Sequence, residues 1–578
     1  MANPRFWMWM GMALGCGVFL AGCGRQEPAT HGQDPRPLRV LNWSEVQTLD
    51  PARISWMSDI RVADLLFDGL TQYDPKTLED IPCMAERWQI DDAGRTYTFH
   101  LRRDARWSNG DPVIARDFVW SWKRILDPDT AADYVYLMFV IRNAQRYNEG
   151  LACAAESPAR QAELKAKGKF VEPIPFDQVG VTAIDDHTLR VELVAALPYF
   201  LDLTSFITFK PVHPPTVEKF TVREGGRVVD FDTDWYSKPE NLVCNGPYRL
   251  ESWVQRQRAR FRKRTDYYDA AAIPSESIEI LPVEDRSTAF KMYDAGEADL
   301  MPFSPPRRLA ERLIEMSKQG RRDDVHLSMS FGTYFYRFNT KRKPFDDPRV
   351  RIAFARAVDR ELITRRLCWL GERPASSLVP PGTRDYVSPQ MPSFDPDAAR
   401  QLLAEAGYPG GAGLPAIEIM FNKDQATHQA VAESIKDMWR RHLGAQVELL
   451  SIDRGTLRQK MQSLDYSVSR GGWYGDYNDP ITFLDMFMTA PEGGGGNNDT
   501  GFADPEYDSL IIQATRESDP QRRNALLHRA EQILVVEQMP ILPLYYYAEM
   551  YMFRPEVKGF YPNRMGINPL RYVGVGGR

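Results

Sequence analysis

Thr96-Tyr97-Thr98-Phe99-His100-Leu101 alternates polar and apolar residues, and Thr188-Leu189-Arg190-Val191-Glu192-Leu193 does so again. A period of two sends successive side chains to opposite faces of a pleated chain, so both runs predict half-buried strands. Asn109-Gly110, after Trp107-Ser108, is a tight-turn signal. Other segments carry a helical period. Asp347-Pro348 sets an acceptor at the N-cap and a proline at the first helical position, and Val350, Phe354, Ala357 and Val358 then make one apolar face. Asp395-Pro396 repeats the device, and Gly407 closes the run Ala398 to Ala406. Strands and helices alternating along the body predict an α/β fold.

The chain has 578 residues, and the part beyond Leu38 is too long for one core, so two or three lobes are expected. Its first residues follow another pattern. Arg5 precedes an apolar run from Phe6 to Leu20 that ends in Leu20-Ala21-Gly22-Cys23. That run is short for a bilayer span and suits the h-region of a secretory signal, which disfavours the competing reading of an uncleaved anchor. Small residues before a cysteine form the bacterial lipoprotein pattern. Residues 1–22 are therefore expected to be a signal peptide, with Cys23 acylated and residues 23–37 a lipidated tether rich in Pro, Gly and Gln. Two acyl chains hold a protein to a membrane where one does so marginally. The body is expected in the periplasm or at the cell surface.

Composition narrows the function. The apolar fraction of 43% and aromatic fraction of 11% describe an ordinary packed protein. Loss of residues 1–22 removes Arg5 and takes the formal charge from −6 to −7, which argues against nucleic acid as a partner. Besides Cys16 and Cys23, four cysteines remain: Cys83, Cys153, Cys244 and Cys368. They permit two disulfides in three connectivities, and none or one is expected. His-Glu-x-x-His, Gly-x-Ser-x-Gly, Cys-x-x-Cys and a phosphate loop are all missing, so neither catalysis nor a metal or cofactor is expected. Residues 150–170 read as an exposed helical insertion, and Gly493 to Gly496 with Asn497 and Asn498 as a mobile loop. No internal repeat is present.

Runs spread over the whole body carry a resemblance. They include Thr48-Leu49-Asp50-Pro51, Ala85-Glu86-Arg87-Trp88, Tyr97 to Arg102, Trp107 to Val113 and Asp117 to Trp122. Asn245-Gly246-Pro247-Tyr248, Arg349-Val350-Arg351 through Asp359-Arg360, and Leu402 to Tyr408 continue the series. In order and spacing the chain resembles the oligopeptide-binding lipoproteins of peptide ABC importers, within the bacterial extracellular solute-binding proteins of family 5. The resemblance implies a two-lobed periplasmic-binding-protein clam with mixed sheets, a two-strand hinge and an additional third domain. Lobe one would comprise 38–68, 197–331 and 545–578, the additional domain 69–196 and lobe two 332–544. The hinge would pass Phe331-Gly332-Thr333 and Pro543-Leu544-Tyr545.

The resemblance also implies a non-catalytic monomer that captures short peptides and delivers them to a permease and its ATPase. A peptide would bind extended between the lobes by β-augmentation. Asp476, in Gly472-Trp473-Tyr474-Gly475-Asp476-Tyr477-Asn478-Asp479-Pro480, would receive the α-ammonium. Trp473 would wall the cleft, with Tyr474 and Asn478 beside it. Arg470 and His428 would meet the peptide's C-terminal end, and Tyr334, Phe335 and Tyr336 would lie in the strand facing the ligand, alternation allowing some of them inward. Five positions depart from the family pattern. A lysine is replaced by Cys368, a tryptophan by Arg454, a glutamate by Ser55, and a cysteine pair by Gly332 and Tyr474. The amine end is thus retained and the far end remodelled, and Arg454 on a pocket wall is expected to admit acidic ligand side chains. The competing readings are a metal chelate, haem or cell-wall peptide in the same fold, and a secreted hydrolase.

The lipoprotein pattern is tested by Cys23→Ser, which is expected to release the protein from membranes without detergent. Continued membrane attachment of that variant would overturn the assignment of Cys23.

Overall fold

The computed structural model describes residues 36–91, 94–224, 227–423, 426–489 and 498–576, which leaves Cys16, Cys23 and the Gly493–Gly496 run outside the described residues. Within it the alternating runs are strands. Thr96–Leu101 pairs antiparallel with both Ala85–Asp91 and Thr188–Glu192, and Val181–Asp185 completes a four-stranded sheet. Tyr97, Phe99 and Leu101 are buried together with Leu189 and Val191, as the alternation requires. The segment around 150–170 is helical over Ala144–Ala155 and Pro158–Ala166, and the second helix buries no residue. All four described cysteines are free.

The main sheet has eleven strands, here β1 (Leu38–Asn42), β2 (Tyr248–Val254), β3 (Arg258–Lys263), β4 (Ser277–Pro282), β5 (Leu300–Met301) and β6 (Val325–Phe338), followed by β7 (Arg373–Pro374), β8 (Ile417–Asn422), β9 (Val447–Ile452), β10 (Val468–Tyr474) and β11 (Ile541–Phe553). Their spatial order is β2-β3-β4-β1-β5-β11-β6-β10-β8-β9, with β7 on β11. Parallel and antiparallel pairs mix: β1 runs parallel to β4, β6 antiparallel to β10. The two long strands have different neighbours at their two ends. β11 pairs with β5 at Met552 and Phe553, whereas β6 pairs with β10 from Gly332 to Phe338. Between them the ladder runs from Val325↔Met552 to Met329↔Ala548, breaks, and resumes at Thr333↔Tyr546. The sheet is thus two half-sheets joined through two strands, with a register break where they join. β6 is buried on both faces from Ser330 to Phe338, the pattern of a strand covered on either side.

The helix starts read from the sequence are built as expected. Asp347 accepts from Arg349 N at 2.8 Å ahead of helix Pro348–Arg356, and Asp395 from Ala398 N at 3.0 Å ahead of Pro396–Glu405. Helix α1 (Ala426–Leu443) packs on the first of these through Trp439, whose Nε1 donates to Phe354 O at 2.8 Å.

The C-terminal end is tied in by buried charge. Arg571 pairs with Asp68 and donates to Asp64 O at 2.8 Å, while Tyr267 Oη donates to Asp68 Oδ2 at 2.7 Å. Asn245 of the Asn-Gly-Pro-Tyr run exchanges two hydrogen bonds with the Asp68 backbone, at 2.9 and 3.0 Å. Removing one partner of a buried pair strands the other in a medium that solvates it poorly, at about 3–5 kcal/mol. Asp68→Ala is therefore expected to destabilise the protein by that amount in chemical denaturation. A loss below about 1 kcal/mol would mean that water reaches Arg571 and replaces the pair.

Candidate functional site

β10 is paired fully along one edge and barely along the other. Each of its residues from Val468 to Tyr474 has a partner in β6, whereas β8 meets it at Val468 and Ser469 alone. From Arg470 to Tyr474 the β8-side edge has no ladder partner among the described residues. Unpaired N–H and C=O groups in a row are a template for one more strand.

Alternation sorts the residues around this edge onto two faces. On one face stand Tyr334 and Tyr336 of β6, Arg470 and Tyr474 of β10, and Tyr545 and Tyr547 of β11. Tyr545 stacks on Tyr334 at 4.6 Å between ring centres, and Tyr474 on Tyr547 at 4.6 Å with planes 7° apart. Gly332 lies directly opposite Tyr474 in the ladder. A side chain there would meet the Tyr474 and Tyr547 rings within about 3 Å, so glycine makes the stack possible where the family pattern has two cysteines. Arg470 Nη2 donates to Tyr547 Oη at 3.0 Å, and its guanidinium lies 4.9 Å from the Tyr334 ring centre. Its Nε has no partner, and its recorded contacts are with tyrosines rather than carboxylates. His428, expected either at the ligand or at the surface, is buried in the first turn of α1, with Nδ1 3.2 Å from Tyr334 Oη.

Phe335 points to the other face. It is fully buried and packs edge-on against Phe487, so the strand admits Tyr334 and Tyr336 to one side and Phe335 to the other. Trp473 shares the Phe335 side by parity and is half-buried, its Nε1 without a partner. Arg454 stands exposed at the first residue of helix α2 (Arg454–Gln462). Cys368 lines a groove of about 650 Å³ with Lys318, Leu327, Trp369 and Glu372.

Beyond the end of β10 the chain turns at Gly475-Asp476. Asp476 N donates to Thr482 Oγ1 at 3.1 Å, but the carboxylate itself has neither ion pair nor hydrogen bond among the described residues. Burial alone pushes it up from 3.8 to about 6. Its neighbour Asp479 is the contrast: Arg523 grips it with two hydrogen bonds, at 2.7 and 2.8 Å. Asn478 is also engaged, its Oδ1 accepting from Arg564 Nη2 at 2.7 Å and from the Arg384 amide at 3.3 Å. Tyr477 stacks on Tyr199 at 4.3 Å, and Arg384 reaches Asp202 at 3.1 Å. Burial raises both Asp202 and Asp80, the second of which lies 3.9 Å from the same guanidinium. These contacts join the Asp476 turn to segments 80–82 and 199–205. The sequence placed Tyr545 in an expected hinge strand, but Tyr547, Arg384 and Asp202 were missed. The Tyr545-Tyr546-Tyr547 run was a usable signal; nothing local marked the other two.

The chain as a whole is similar to known proteins. The model of the bacterial extracellular solute-binding proteins, family 5 (middle), matches residues 80–495. The dipeptide-binding protein DppE of Bacillus subtilis is 32% identical, with 98% of each chain covered. Among solved structures, the unliganded open form of the periplasmic murein tripeptide binding protein MppA superposes with a TM-score of 0.76 at 31% identity, covering 93% of this chain and 97% of that one. Haemophilus influenzae OppA in complex with RPPGFSPFR gives 0.69 at 29% identity, covering 93% and 98%. These neighbours share the multi-domain clam fold.

The isolation of Asp476 has a measurable consequence. A carboxyl raised in the folded state disfavours the ionised native protein, so stability falls as pH climbs from 3.8 through about 6. Asp476→Asn is expected to stabilise the ligand-free protein at pH 8 by up to about 3 kcal/mol and to change almost nothing at about pH 3, below both values. Equal effects at both pH values in denaturant titrations would show that Asp476 ionises without penalty.

Proposed function

We propose, on the premise that this chain belongs to the bacterial extracellular solute-binding proteins of family 5, that it captures short peptides in a closing cleft and delivers them to an ABC importer. One observation carries the reading. A strand edge free from Arg470 to Tyr474 lies between a carboxylate without a cation, Asp476, and a guanidinium without a carboxylate, Arg470. An extended peptide offers the complement: a backbone for the edge, an ammonium for Asp476 and a carboxylate for Arg470. Six residues separate the two charges, about 20 Å of strand at most. The reach of the arginine side chain shortens that gap, so ligands of about three to five residues fit it best.

The ammonium replaces the water that burial denies Asp476, and a charge-assisted hydrogen bond forms there. At the other end Arg470 is already oriented by Tyr547 and Tyr334, and His428 stands one tyrosine away. Catalysis plays no part in this reading, and the peptide leaves intact. A free α-amine favours a peptide over a metal chelate or haem.

The same reading assigns lobe one to 38–68, 197–331 and 545–578, the additional domain to 69–196 and lobe two to 332–544. Rigid lobes rotate about β6 and β11, and a ligand touching both stabilises the closed state by its differential affinity. Acylated Cys23 holds the monomer at the membrane beside its permease.

Calorimetry with free and N-acetylated tripeptides tests the proposal. Micromolar binding corresponds to about 8 kcal/mol. Acetylation, or Asp476→Ala, is expected to weaken it by two orders of magnitude or more, since a broken buried pair costs about 3–5 kcal/mol. Scattering should give a smaller radius of gyration with the free peptide, which is recovered uncleaved. Equal affinity for both peptides would remove Asp476 from the site, and cleaved fragments would move the protein to the hydrolases.

A further inference from the structure

Arg337 is the second buried cation beside the free edge, and nothing in the peptide reading above uses it. It sits near the end of β6, opposite Ser469 of β10, and is 6% exposed. Its parity is that of Phe335, so it serves the face opposite to Arg470. The guanidinium lies 4.9 Å from the Phe335 ring centre, and Nη1 is 4.0 Å from Met461 Sδ of α2. Its Nε has no partner, and no carboxylate is hydrogen-bonded to it among the described residues. Asp499 is near enough to be felt electrostatically without making an ion pair, and burial lowers the arginine's affinity for its proton. A buried guanidinium left in this state is poorly solvated and ready for an anion.

The position of Gly471 shows where that anion would come from. A Cβ at Gly471 would fall 2.3 Å from Arg337 Nη1 and 2.7 Å from the Phe335 ring, so the arginine occupies the space a side chain of β10 would fill. Arg337 thus crosses over β10 toward the edge that lacks a partner. A strand added there lies about 4.8 Å away, and the residue opposite Gly471 carries its Cβ on the same face at about 5 Å. The carboxylate of an aspartate or glutamate at that residue comes within reach of Nη1 and Nη2.

We infer that Arg337, with its passage over Gly471, forms a side-chain subsite for an acidic residue of the bound peptide. This rests on the peptide reading above and adds to it a chemical preference at one ligand position. It also relocates the acidic preference expected from Arg454, from an exposed helix start to a buried strand. Recognition is by charge with a planar donor: a guanidinium offers two parallel N–H groups to a carboxylate, and an amide side chain of the same size cannot answer both.

Calorimetry on the full-length mature protein with tetra-alanine, its four single-Asp analogues and its four single-Asn analogues decides the matter. At one position the Asp peptide is expected to bind at least tenfold more tightly than the Asn peptide, and Arg337→Gln is expected to bring that ratio close to one. Tetra-alanine binding with an Asp:Asn ratio near one at every position would overturn the subsite while leaving the peptide reading intact. A ratio that survives in Arg337→Gln would do the same. Absence of binding by tetra-alanine and all its analogues would sink both. Should the variant fail to fold, the unaltered protein's own ratios still decide.

Discussion

The ladder between β6 and β11 is the constraint on which the rest depends. Among the described residues it is the sole strand ladder joining two half-sheets, and it has to be firm enough to align them and yielding enough to bend. Burial on both faces supplies the firmness: from Ser330 to Phe338 no residue of β6 is exposed. The break between Met329 and Thr333 supplies the yield, because a ladder that has lost its register there has fewer hydrogen bonds to strain. Next to the break come Gly332, whose lack of a side chain admits two tyrosine rings, and Tyr334, against which arginine, histidine and a second tyrosine are arranged. Joint and site are therefore one set of residues, and a change in one cannot leave the other untouched.

The site also illustrates how a protein holds charge apart from its complement. Asp479 and Asp68 are buried and gripped by arginines, and both serve architecture. Asp476, Arg470 and Arg337 are buried or half-buried and left without ionic partners. Ion pairing among themselves would stabilise the empty protein and blunt its need for a ligand. The strand prevents it: Arg470 and Arg337 lie on opposite faces of the same sheet, and Asp476 lies six residues from the one and beyond the reach of the other. A rigid backbone keeps the charges separate at a cost to stability that a binding function warrants.

Much of this was legible in the chain and some was not, for physical reasons. Thr96–Leu101 and the Asp347-Pro348 start were readable because each depends on a local rule, pleat parity or cap geometry. The turn at Asp476 was readable in the run Gly475-Asp476-Tyr477-Asn478-Asp479-Pro480, which is rich in turn residues. Phe335 was ambiguous because three aromatic residues in succession satisfy a strand on either face, and the choice between them is made by what packs beside the sheet. Arg337 was invisible for the opposite reason. In Tyr334-Phe335-Tyr336-Arg337-Phe338 a lone arginine looks like the solvent side of an edge strand, and a glycine 134 residues later gives no hint that it lies underneath. The link between Arg384 and Asp202 is a meeting of distant segments and leaves no local trace.

The stack of Tyr474 on Tyr547 over Gly332 has a consequence for how the chain matures. Two rings come together as soon as their strands pair, in any redox environment, and they come apart and re-form without an enzyme. Cys83 and Cys244 are buried with thiols pushed up to about 12 and about 11, so neither is disposed to attack a stray disulfide. These two strands therefore reach their paired form without waiting for an oxidant.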